Sequence, residues 1–262
     1  MHIILPVIIL GIIGIIAGFG LALCSVLMAV KTDEKVEAIR AELPGANCGA
    51  CGYAGCDQYA EALVNGEAKP GVCAPGGASV NAKIGEILGV EVEMARPVAA
   101  TVVCNGSNEH VKEKMNYQGI ATCKAANMLY GGPLACSYGC IGLGDCARAC
   151  VYGAIEIKNG RAYIDRSKCT ACTACAIACP KGIIKMLPTD QVAVVVCSNC
   201  DKGAATRKVC DVGCIGCMKC VKVCPHDAVK VENNLARIDP DKCTACGECV
   251  RNCPVKCIDI IK

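Results

Sequence analysis

"CTACTACAIACP" (Cys169–Pro180) and "CTACGECVRNCP" (Cys243–Pro254) place four cysteines at the same intervals before a proline, 74 residues apart. The match persists upstream. "CSYGCIGLGDCARACVYGAI" (Cys136–Ile155) faces "CDVGCIGCMKCVKVCPHDAV" (Cys210–Val229), and "EIKNGRAYID" faces "KVENNLARID". Asn159-Gly160 and Asn233-Asn234 are hairpin turn signals between alternating segments. A fixed-period repeat of this kind means two copies of one supersecondary unit.

Each copy reads as two half-sites of C-x2-C-x2-C-x3-C separated by a hairpin. In proteins with two clusters on this spacing, the fourth cysteine of each half ligates the cluster of the other half. The second copy is complete: Cys214, Cys217 and Cys220 pair with Cys253, and Cys243, Cys246 and Cys249 pair with Cys224. The first copy departs, because Leu143 stands where the second has Cys217 and Val151 replaces Pro225. One set there is full: Cys150, Cys169, Cys172 and Cys175. The other, Cys140, Cys146 and Cys179, is one ligand short, and Cys136 is the expected fourth. A three-iron cluster or an open iron is the alternative, and Cys104, Cys123 or a non-protein ligand fills the position if Cys136 does not.

The chain has 262 residues, 27 cysteines, one phenylalanine and no tryptophan. Large core-filling side chains are scarce, so disulfides, zinc or iron–sulfur clusters must supply part of the cohesion. A net charge of +3 and the lack of a basic run interleaved with aromatics exclude nucleic acid as the partner. Ile3–Val30 carries no charged residue over 28 positions. About 20 apolar residues cross a bilayer, and the run is too long for the core of a cleaved signal. Lys31, Lys35 and Arg40 follow it, which predicts a single-pass anchor in the cell membrane with the bulk of the chain in the cytoplasm. Gly11, Gly14 and Gly18 share a face suited to close helix packing. A reducing compartment disfavours disulfides.

"NCGACGYAGC" and "KPGVC" set Cys48, Cys51, Cys56 and Cys73 as a further four-thiolate group, with a short helix expected over 57–64. Four thiolates fit zinc or a [4Fe-4S] cube. Zinc, however, does not explain two intertwined four-cysteine runs with a hairpin between them. Seven cysteines remain: Cys24, Cys104, Cys123, Cys197, Cys200, Cys210 and Cys257. Cys24 reads as an apolar filler, and Cys257 aligns with Ile183 in a packed strand. Five [4Fe-4S] clusters use twenty cysteines; a sixth would draw on Cys197, Cys200, Cys210 and Cys257. Cys210, Cys214 and Cys217 spell the C-x3-C-x2-C of radical enzymes, but the remaining chain is too short for their barrel. No dinucleotide fingerprint, P-loop or H-E-x-x-H occurs, and no nucleophile–base pair is evident. The chain therefore has no bond-making active site of its own.

A membrane helix, then "CGACGYAGC…C", then ferredoxin repeats resembles the B subunit of the Rnf ion-translocating ferredoxin oxidoreductase complex, in a long form with two ferredoxin units. The first cluster domain is also similar to one found in corrinoid–acetyl-CoA pathway proteins. The resemblance covers nearly the whole chain. It implies electron transfer from reduced soluble ferredoxin to membrane partner subunits of a translocase that pumps Na⁺ or H⁺. The alternatives are a membrane-tethered polyferredoxin without ion pumping and a zinc-binding scaffold. The expected fold class is α+β: a transmembrane helix (1–30), a four-cysteine [4Fe-4S] domain (31–95) and two tandem two-cluster ferredoxin-like units (96–190 and 191–262).

Overall fold

The computed structural model describes residues 4–27, 33–93 and 96–261. Helix α1 (Ile4–Leu27) is 24 residues without a charge, about 36 Å at the α-helical rise. Its side chains are described for residues 11–24 only, and the large ones there are exposed. Among the residues whose side chains are described, which in α1 are 11–24, no helical stretch is long and apolar enough to cross a membrane. The span expected over 1–30 lies partly outside the described residues.

Three helices follow: α2 (Glu34–Glu42), α3 (Cys56–Val64) and α4 (Gly77–Leu88). Asp33 caps α2 by accepting from the Lys35 N–H at 2.9 Å, as an N-terminal carboxylate should. Gly89 ends α4 in the left-handed region (φ 69°), where glycine costs least. Ile39, Tyr59, Leu63 and Ile84 form the core between them. The expected helix over 57–64 begins one residue earlier, at Cys56, whose N–H donates to Asn47 Oδ1 at 2.8 Å.

The first repeat contains β1 (Val98–Val102), α5 (Cys123–Met128), α6 (Asp145–Ala149), β2 (Ile155–Lys158), β3 (Arg161–Ile164), α7 (Ala174–Ala178) and β4 (Ile184–Pro188). The second contains β5 (Ala193–Val195), α8 (Gly203–Val209), α9 (Lys219–Lys222), β6 (Val229–Glu232), β7 (Leu235–Ile238), α10 (Glu248–Arg251) and β8 (Ile258–Ile260). Each repeat holds an antiparallel hairpin (β2–β3, β6–β7) and an antiparallel pair joining its first and last strands (β1–β4, β5–β8). The hairpins turn where the sequence predicts, with Asn159, Gly160, Asn233 and Asn234 all at positive φ, as a two-residue loop matching strand twist requires.

The repeats share a core. Val194 and Val196 of the second pack with Ala100, Val102, Ile155 and Ile184 of the first. Lys112 N–H donates to Val209 O at 3.1 Å and Asp211 N–H to His110 O at 3.0 Å. Arg96 pairs with Asp190 at 2.8 Å and with Asp241 at 2.7 Å. The Asp241 pair is a second, solvent-exposed tie between the repeats and adds little to stability.

Candidate metal centres

Within each C-x2-C-x2-C loop the chain must turn three thiols toward one point. It does so by alternating backbone hand. Ala171 and Thr173 flank Cys172 with φ of 57° and 63°, and Ala245 and Gly247 flank Cys246 with φ of 57° and 77°. Gly216 and Met218 flank Cys217 with φ of 64° and 61°. Left-handed backbone is costly for alanine, threonine and methionine. It persists because alternating residues of this kind direct successive N–H groups into one concavity that favours negative charge. The same twist surrounds Leu143, between Gly142 (φ 80°) and Gly144 (φ 82°). The loop geometry therefore survives where the cysteine does not.

The pairing of half-sites follows from the sheets. Cys150, Cys169, Cys172 and Cys175 line one cavity of about 320 Å³ of empty space. Cys224, Cys243, Cys246 and Cys249 line its counterpart in the second repeat, of the same volume. Cys48, Cys51, Cys56 and Cys73 line a third, also about 320 Å³. Cys214 and Cys220 are buried in the core of the second repeat, and Cys253 packs against it. Burial pushes the Cys220 thiol up to about 11, and Cys214, Cys217 and Cys253 stand close enough to oppose its ionisation further.

The first repeat's short set closes differently from expectation. The cavity lined by Cys140, Cys146 and Cys179, about 380 Å³, has Cys123 as its fourth cysteine and not Cys136. Thr122 caps α5, accepting from Ala125 N–H at 3.2 Å, and Asp145 accepts from Lys124 N–H at 2.9 Å. The second of these contacts seats the first turn of α5 against α6. Cys123 thus packs beside Leu143, the residue that stands where a ligand would be. The physical reason for the correction is insertion. Thirty-two positions separate Cys104 from Cys136, against thirteen between Cys197 and Cys210, and the extra chain carries Cys123 to the open corner.

Cys136 lies instead with Cys104, Cys197 and Cys210 around another cavity of about 320 Å³. Cys197 and Cys210, expected together, are together; Cys200 and Cys257 do not line that cavity. Cys200 packs against the second repeat's core. Cys257 is buried with its sulfur 3.7 Å from that of Cys253. Hydrogen bonding to Cys214 and Cys253 pushes its thiol up, and the same contacts lower the thiols of Cys214 and Cys253. Cys24 sits exposed on α1.

These sets fit [4Fe-4S] groups. Main-chain N–H groups point at sulfur: Ala100 to Cys169 at 3.3 Å, Cys140 to Cys104 at 3.3 Å and Cys214 to Cys197 at 3.2 Å. Burial pushes the thiols of Cys140 and Cys175 up to about 11 and that of Cys146 up to about 12, so metal must displace these protons on binding. Among the described residues no three His, Cys, Asp or Glu side chains close around the point a single ion would occupy.

Known families match three segments. The domain described as "Putative Fe-S cluster" matches residues 43–75, and the "4Fe-4S dicluster domain" matches 139–183 and again 207–260. The B subunit of the Na(+)-translocating ferredoxin:NAD(+) oxidoreductase complex of Acetobacterium woodii is 45% identical over 257 residues, covering 98% of this chain and 77% of that protein. The B subunit of an ion-translocating oxidoreductase complex of Methanosarcina acetivorans is 39% identical, covering 95% and 94%. The B subunit of the proton-translocating ferredoxin:NAD(+) oxidoreductase complex of Clostridium ljungdahlii is 41% identical, covering 93% and 86%.

Proposed function

The chain belongs to the B-subunit family of the ion-translocating (Rnf) oxidoreductase complexes, and from that premise we propose how its cysteines, anchor and partners divide the work. It is an iron–sulfur electron-transfer subunit of such a complex. The finer reading is that it accepts electrons from reduced soluble ferredoxin, the substrate in the names of two relatives. It hands them to membrane subunits of the same complex.

Five sites carry this reading: Cys48, Cys51, Cys56 and Cys73; Cys123, Cys140, Cys146 and Cys179; Cys150, Cys169, Cys172 and Cys175; Cys214, Cys217, Cys220 and Cys253; and Cys224, Cys243, Cys246 and Cys249. A bound [4Fe-4S] cluster supplies one-electron transfer at a potential its surroundings set between about −700 and +450 mV. The chain's own residues do the rest. Thiolates hold the iron, and N–H groups directed at sulfur stabilise the added negative charge. Apolar walls such as Ile155, Ile164 and Met186 keep water away. The observation that carries the reading is the repeated loop, which gathers cysteines from two distant half-sites into one cavity in each repeat.

The anchor is α1, a single pass, with residues beyond 30 in the cytoplasm. Its uncharged length and the Lys31, Lys35 and Arg40 that follow it support this orientation.

Anaerobic iron and sulfide analysis of the chain, with EPR after adding reduced ferredoxin, tests the proposal. Reduced-cluster signals are expected, as is co-purification with integral-membrane subunits from native membranes. An iron-free chain, or clusters that reduced ferredoxin leaves oxidised, would refute it.

A further inference from the structure

The correspondence between the repeats extends in space to cysteines outside the ligand loops. Val103 N–H donates to Ile183 O at 2.9 Å and Val196 N–H to Cys257 O at 2.8 Å. Ile183 and Cys257 are one period apart, so Val103 and Val196 occupy equivalent places, as do Cys104 and Cys197 just after them. The next contact repeats too. Cys140 N–H donates to Cys104 Sγ at 3.3 Å, and Cys214 N–H donates to Cys197 Sγ at 3.2 Å. Cys136 and Cys210 are likewise one period apart. Each faces a glycine three residues on, Gly139 and Gly213, where an added Cβ would lie 3.6 Å from the cysteine Cβ in both cases.

These two equivalent pairs meet at a single cavity. It lies at the junction of the repeats, where Val111 bridges Cys210 and Ser198 Oγ donates to Val103 O at 2.8 Å. Cys104, Cys136 and Cys210 are each 7% exposed. The cavity's empty volume, about 320 Å³, equals that of the cavities bounded by the regular C-x2-C-x2-C loops. No lysine, arginine, aspartate or glutamate lines it. Asn199 turns its main-chain N–H to Cys197 Sγ at 3.4 Å and its side-chain amide to Cys136 Sγ at 3.6 Å. Gly106 backs the space: a Cβ there would strike Val111 and lie 3.7 and 3.8 Å from the sulfurs of Cys104 and Cys210. Three buried thiols and one half-buried, N–H donors aimed at sulfur and a wall of glycine and valine are the furnishings of the other sites in these repeats.

We propose that Cys104, Cys136, Cys197 and Cys210 hold a further [4Fe-4S] cluster, two ligands from each ferredoxin-like repeat, at the junction between them. This rests on the iron–sulfur reading above. It gives the repeats a shared centre, and it makes the second repeat part of one continuous row with the first.

The test uses the full chain, purified anaerobically in detergent from a host that assembles clusters. The wild type is expected to carry about 24 iron and 24 acid-labile sulfide, six cubes of four. About 20 of each would overturn this proposal and leave the electron-transfer reading standing. A chain without iron would overturn both. Cys104→Ala/Cys197→Ala should lose about four iron and four sulfide while the EPR signals of the other centres persist, and Cys200→Ala should lose none. Cys136→Ser, a milder change, should alter one signal in the reduced spectrum. An unchanged iron content and spectrum in both Cys104→Ala/Cys197→Ala and Cys136→Ser would refute the assignment. So would one zinc per chain that disappears in these variants.

Discussion

Cys123→Ala removes one of four thiolates from the site completed by Cys140, Cys146 and Cys179. The remaining three can retain a three-iron cluster or lose the group altogether, so iron should fall by about one to four atoms out of roughly 24. A loss of one is near the error of an iron assay, so the deciding readout is EPR of the oxidised protein. There a three-iron cluster is paramagnetic and a cube is silent. The second half of the experiment is the rescue. Leu143→Cys in the Cys123→Ala background rebuilds C-x2-C-x2-C on a backbone already shaped for it, since Gly142 and Gly144 (φ 80° and 82°) match Gly216 and Met218 (φ 64° and 61°) around Cys217. Leu143 is only half-buried, so trimming it costs about 1 kcal/mol, well below what a restored ligand returns. Iron and the silent oxidised spectrum should both recover. If Cys123→Ala keeps its iron and spectrum, or if Leu143→Cys fails to rescue a variant that lost them, the assignment of Cys123 to this corner is wrong.

Gly142→Ala should destabilise the same site by about 1–3 kcal/mol, because a Cβ at this positive φ would collide with the main chain of Gly160 in the β2–β3 turn; faster thermal bleaching of the brown colour than in Gly153→Ala, whose Cβ meets nothing within 4 Å, checks it. Deleting residues 1–30 should give a protein that stays in the supernatant after ultracentrifugation with its full iron content; sedimentation with membranes in the absence of partner subunits would refute the single-anchor proposal. Removing iron with a chelator should abolish most far-UV circular dichroism structure beyond residue 95, since the cores of both repeats count ligand cysteines among their buried members and metal binding supplies folding free energy in such domains. A well-folded apoprotein would show that the aliphatic core suffices.

Cysteine spacing by itself marks the loops and the expected membership of the regular sites, because each C-x2-C-x2-C run is a local device. Three thiols within seven residues need only a fixed sequence of φ angles to converge, and the residues that tolerate or enforce those angles lie in the same run. The hairpin turns at Asn159-Gly160 and Asn233-Asn234 are legible for the same reason. The crossing of half-sites is also readable, since it repeats in a known spacing. What spacing cannot carry is the identity of ligands brought together across long loops. Cys123 and Leu143 are twenty positions apart with no periodic relation, and only the seating of α5 against α6 through Asp145 sets one beside the other. Nearness along the chain points Cys136 to the short set, yet the pairing of β1 with β4 and β5 with β8 directs it to Cys104, Cys197 and Cys210. Cys257 reads as a strand residue equivalent to Ile183; it lies just before β8, as Ile183 lies just before β4, and its thiol touches Cys253. In each case the deciding contact joins residues whose separation in sequence is arbitrary. Sheet register and core packing fix it, and these exist only once the chain has folded.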